Sequence, residues 1–145
     1  MAAHRLVLSV PAATSAVTAA RHQAVDGIRG WDAGLDHDVV HTAALVISEL
    51  LTNAVRHAGA GRILLSVRLT GIVLRIEVCD SSSSLPRPGL PDDDSESGRG
   101  LLLVSALADR HGVRPTAAGK RCWAEIFLST PSTTESPVSL PLLKN

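Results

Sequence analysis

Aromatic side chains are almost absent from this chain of 145 residues: Phe127, Trp31 and Trp123 are all it has, with no tyrosine. Single-stranded nucleic acid therefore finds no stacking platform here, and the core must be aliphatic. A charge excess is missing as well, since 14 Lys and Arg balance 14 Asp and Glu. A nucleic-acid partner held by counterion release requires a basic surplus, so that class falls away. Cysteine is limited to Cys79 and Cys122. Two are too few for the disulfide framework of a small secreted protein, and both fall in alternating apolar runs that read as strands with buried free thiols. In the second half the longest run clear of both charge and strong breakers, Leu101 to Ala108, is far below the ~20 residues of a membrane span. Arg5, then Leu6 to Val10 and an alanine-rich run, loosely imitates a signal peptide. Pro11 interrupts it and Ser and Thr follow, so the expected location is cytoplasmic.

The length suits one domain with a real hydrophobic core. His4 to Val10 reads as a strand closed by Pro11. Thr14 or Ser15 is placed to cap a helix that runs to about Arg29 and stops at Gly30. In a second helix Asp36 or Asp38 supplies the cap, and Val39, Val40, Ala43, Val46, Ile47, Leu50, Leu51 and Ala54 repeat at helical spacing until Gly59. Arg62 to Thr70 and Ile72 to Cys79 alternate about Gly71 and read as an antiparallel hairpin.

From Ser81 to Ser97 the pattern gives way to Ser, Pro, Gly and Asp, a length that inside a compact domain signals function or disorder. A third helix is expected from Leu101 to about Arg110 with a stop near Gly112. Val113 to Ala117 and Arg121 to Leu128 then form a second hairpin. The expected fold is α+β, a two-layer sandwich of a mainly antiparallel sheet with three helices on one face. Residues 1–129 form the domain, and residues 130–145 read as a Ser, Thr and Pro rich flexible tail.

Glu49, Asn53 and His57 stand at i, i+4 and i+8 of the second helix, in one line. Such a line is commonly a solvated stripe. A carboxylate one turn from an amide also suits a metal-bound phosphate, the amide oxygen ligating Mg²⁺ and the carboxylate accepting a proton. Asp80, at the end of the hairpin's second strand, is either a turn former or an acceptor for an exocyclic amine. Gly98-Arg99-Gly100 before a helix permits close backbone approach of a phosphate, with Arg99 in reach of a terminal phosphate. It matches neither a P-loop nor a dinucleotide fingerprint.

In this order the pieces resemble the GHKL, or Bergerat-fold, ATP-binding domains, and more closely the small actinobacterial anti-sigma regulatory factors of serine/threonine kinase type. Ser48 to Ala58 looks like that family's N-box, Ser97 to Val104 like its second glycine box, and Gly119-Lys120 with Trp123-Ala124-Glu125 like its closing strand. The resemblance implies ATP and Mg²⁺ as cofactors, with Asn53 as the metal ligand and Glu49 as the base activating a substrate serine. It implies Asp80 as the adenine acceptor, and His57, Gly98, Arg99, Gly100 and Leu101 as further nucleotide-binding residues. The implied partners are a sigma factor and an anti-anti-sigma protein of STAS type, and the implied assembly is a homodimer. Ser82 stands where the first glycine box carries Gly, and glycine there would allow closer approach to the purine.

Three functions follow: a kinase that sequesters a sigma factor, a non-catalytic binding module of the same fold, and the ATP-binding half of a histidine kinase. The last has no phosphoacceptor helix pair within this length.

Overall fold

The computed structural model describes residues 3–58, 61–81 and 102–128. Five strands, β1 (Ala3–Pro11), β2 (Arg62–Thr70), β3 (Val73–Asp80), β4 (Arg110–Pro115) and β5 (Lys120–Phe127), form one sheet in the order β1-β2-β3-β5-β4. Every pairing is antiparallel. Helices α1 (Thr14–Gly30) and α2 (His37–Ala58) lie on one face together with a short helix, α3, at 102–107. The expected two-layer α+β sandwich is the observed one.

Alternation explains which face is covered. Ile63, Leu65, Val67 and Leu69 of β2 are buried, as are Leu74, Ile76 and Val78 of β3 and Cys122, Ala124 and Ile126 of β5. Successive strand residues point to opposite faces, so these form one apolar layer under the helices. Val46, Ile47, Leu50, Leu51 and Ala54 of α2 close it from above. By length and composition α2 could cross a membrane, yet its apolar side is core of this sheet.

Local chemistry sets the element ends. Asp36 caps α2, its Oδ1 accepting from the Val39 backbone N–H at 2.9 Å, a contact that contributes about 1 kcal/mol. Gly71 takes φ 60° in the two-residue turn between Thr70 and Val73, a backbone state that suits the first position of such a loop.

Four expectations need correction. Thr14 and Ser15 do not cap α1: Ala13 holds the N-cap position with no side-chain cap bond, and both are already helical. The third helix ends at residue 107, because Asp109 turns the chain back onto β5, its N–H donating to Glu125 O at 2.9 Å and its Oδ2 accepting from the Phe127 N–H. Gly112 is therefore no helix stop but lies inside β4, where a Cβ would sit 2.9 Å from the Trp123 ring. Cys79 is not buried with Cys122: next to inward-facing Asp80, it points to the opposite face and is partly exposed. Gly59, the segment 82–101 and the tail beyond 128 lie outside the described residues.

Candidate functional site

One end of the sheet gathers the polar residues. Leu64 of β2 faces Cys79, so Asp80 stands level with the start of β2, just beyond the end of α2. Gly61 touches the same corner, where a Cβ would lie 4.0 Å from Ser81 Oγ, and its carbonyl accepts from the Ala12 N–H at 3.1 Å. The C-terminal half of α2, the end of β3 and the start of β5 therefore meet. Asn53 is buried there at 6% exposure, with Glu49 and His57 half-buried. The line of Glu49, Asn53 and His57 thus flanks the buried side of α2 and is not a solvated stripe. Beside this line Arg21 Nη1 of α1 donates to Ser48 Oγ of α2 at 3.0 Å, tying the two helices together.

Asp80 continues the inward series Leu74, Ile76, Val78, and its side chain is fully buried. A carboxylate placed so needs compensation. Lys120, its register partner on β5, supplies it: Nζ lies 3.9 Å from Asp80 Oδ2, and the lysine side chain is 1% exposed. The closing-strand resemblance covers Lys120 but gives it no partner, because lysine ordinarily faces water. The signal was the parity of β5, where Lys120 precedes Cys122, Ala124 and Ile126 on the inner face. Burial pushes the Cys122 thiol up to about 11, even though Lys120 pulls it down, so that thiol stays protonated and inert at neutral pH.

Gly119 is required by closeness. A Cβ there would lie 2.0 Å from the Asp80 carbonyl oxygen and 2.6 Å from Ser81 Cα, so the start of β5 abuts the end of β3 backbone to backbone.

Residues 10–126 match the family of histidine kinase-like ATPase domains. The chain belongs to that family. Among solved structures it is similar to that of the RsbU and RsbW domains of Rv1364c from Mycobacterium tuberculosis. That likeness has a TM-score of 0.68 at 22% identity and covers 92% of this chain but 35% of the other. The chain thus spans about a third of the length of the chain in that structure, and the likeness establishes a shared fold. Comparison with curated proteins gave no match.

The residues of an ATPase domain of this family fit the group its name implies. A buried carboxylate retains several acceptor positions, so Asp80 can face Lys120 and still accept from an exocyclic amine. Among the described residues no three His, Cys, Asp or Glu side chains converge as a metal site. Asn53 and Glu49 carry the oxygen donors that a hard cation prefers. Gly98, Arg99, Gly100 and Leu101, together with Ser82, lie outside the described residues.

Proposed function

We propose that the chain is an ATP-binding regulatory protein, an anti-sigma factor with serine/threonine kinase activity toward an anti-anti-sigma partner of STAS type. The observation that carries this reading is the buried carboxylate of Asp80 at the same end of the sheet as the Glu49 and Asn53 line. Asp80 would orient the purine by accepting from its amine, and Asn53 would offer an amide oxygen to Mg²⁺. Glu49, half-buried and one turn away, would take the proton from a serine hydroxyl as it attacks. Bound ATP would supply the transferable phosphoryl group. In such chemistry positioning and electrostatics do most of the catalytic work, so this small set of side chains suffices. His57, Gly98, Arg99, Gly100 and Leu101 are assigned to nucleotide binding on the family pattern. The sigma-factor partner, the homodimer and a cytoplasmic location belong to the same proposal.

A thermal melt tests the binding half. Mg-ATP at a hundred times its Kd should stabilise the fold by about 2.7 kcal/mol, a rise of several degrees that Asn53→Ala should remove. No rise at millimolar ATP would sink the nucleotide reading. For the chemistry, Glu49→Ala should keep the ATP-dependent rise while phosphoryl transfer to the partner falls by about a hundredfold or more. Transfer that continues at the original rate would take Glu49 out of the base role.

A second reading, a binding module without phosphoryl transfer, is favoured by one feature. Lys120 stands on the carboxylate that the adenine amine would use, and a nucleotide must share Asp80 with it.

A further inference from the structure

The sheet face turned away from the helices holds a second organised group. There β3, β5 and β4 line up three cross-strand rows: Arg75–Glu125–Arg110, Glu77–Trp123–Gly112 and Cys79–Arg121–Arg114. Gly112 leaves room for the indole of Trp123 against β4. Arg75 stacks on that indole, its guanidinium carbon 4.4 Å from a ring centroid, and Arg110 stands 6.0 Å from it.

Both carboxylates are engaged chiefly by Arg75. Its Nε donates to Glu77 and its Nη1 donates to Glu125 at 2.8 Å. Burial works against this cation, but the two hydrogen bonds together with the charge attraction of Glu77 and Glu125 outweigh it and hold the Arg75 pKa above its ordinary value. The other oxygens of the same carboxylates come no nearer than 3.6 Å to Arg121 Nε and 3.7 Å to Arg110 Nη1, beyond useful hydrogen-bond range. Among the described residues the buried Nε atom of Arg121 accordingly has no hydrogen-bond acceptor, although the side chain as a whole is partly exposed, and the neighbouring Cys79 sulfur is only a weak partner for the rest of its guanidinium. Arg114 stands directly across from Arg121, and among the described residues no carboxylate pairs with it. Like charges directly opposite on a ladder are unfavourable.

These side chains, Arg75, Arg110, Arg114, Arg121 and Trp123, line a cavity of about 230 Å³. Among the described residues, four guanidiniums against two carboxylates leave an excess of two positive charges. That excess, the orphaned Nε and the opposed pair all call for one occupant. We propose that this cavity binds a phosphomonoester dianion, with Arg114 and Arg121 donating to its oxygens while Arg75, fixed by the two glutamates, frames the floor. A phosphate group carries about −1.5 to −2 charge at neutral pH and three strong acceptor oxygens, and guanidinium forks suit it better than an ammonium would. The site faces away from the Asp80 corner and does not depend on nucleotide binding there.

Trp123 reports on its own site. In the Trp31→Phe chain it is the sole indole, and its emission is followed against sodium phosphate, a phosphoserine peptide and the same peptide without phosphate, at constant ionic strength set with chloride. A saturable change with phosphate or phosphopeptide is expected. Arg114→Gln and Arg121→Gln should each weaken it about tenfold, and Arg29→Gln on α1 should leave it unchanged. Tighter binding of the phosphopeptide would assign the site to a phosphorylated protein, and tighter binding of inorganic phosphate to the free ion; either upholds a dianion site. A response that does not saturate, that chloride or the unphosphorylated peptide reproduces, or that survives Arg114→Gln intact overturns the proposal.

Discussion

Replacing Lys120 with alanine is expected to lower the melting temperature by roughly 10 °C or more. The ammonium and the Asp80 carboxylate sit 3.9 Å apart with almost no solvent contact on either side chain. Removing one member of a buried pair strands the other charge in a low-dielectric interior, which typically costs about 3–5 kcal/mol. The same logic makes the Asp80→Ala, Lys120→Ala double variant milder than the sum of the singles, since it leaves no charge behind. Melts of the four proteins without nucleotide complete the cycle. Additive losses, or a Lys120→Ala melt within a degree or two of the parent, would show that the pair contributes nothing to the core.

Gly119→Ala is expected to be nearly as damaging, by about 2–3 kcal/mol or more. The added methyl would meet the Asp80 carbonyl oxygen and the Ser81 backbone rather than the flexible end of a side chain. Relief requires the start of β5 to part from the end of β3, which breaks the Asp80 to Lys120 register. Amide hydrogen exchange should accordingly accelerate at residues 78–81 and 120–122 while the Gly71 turn keeps its protection. Gly30→Ala is the contrasting variant, because nothing lies within 4 Å of a Cβ there and alanine is the better helix former. Equal melts for the two substitutions would refute the steric account.

The α2 stripe was legible because helical spacing of apolar residues needs no tertiary knowledge, and the same holds for the Asp36 cap and the Gly71 turn. Gly112 misled for a physical reason: a glycine after an apolar run reads as a helix end, whereas its use here is to admit the indole of Trp123 from a neighbouring strand. Cys79 misled because an alternating run shows two faces without saying which is covered; the burial of Asp80 settles it. Lys120 was hidden by the ordinary preference of lysine for water. The arginine rows were hidden by the balanced total charge, which carries no information on segregation. Of the candidate site, Glu49, Asn53 and His57 lie on the C-terminal half of α2, which leads to the start of β2 beside Asp80, while Gly98, Arg99, Gly100 and Leu101 lie outside the described residues.

The pairing of β1 with β2 matches Ala3 to Thr70 and Pro11 to Arg62, with both long helices between them in sequence. By contrast, the β2–β3 and β4–β5 hairpins close locally. During synthesis from the amino end, the first strand cannot be locked into the sheet until the whole of β2 has left the ribosome. Until then Leu6, Leu8 and Val10 form an apolar ribbon with open backbone groups, the part of the nascent protein most in need of a chaperone.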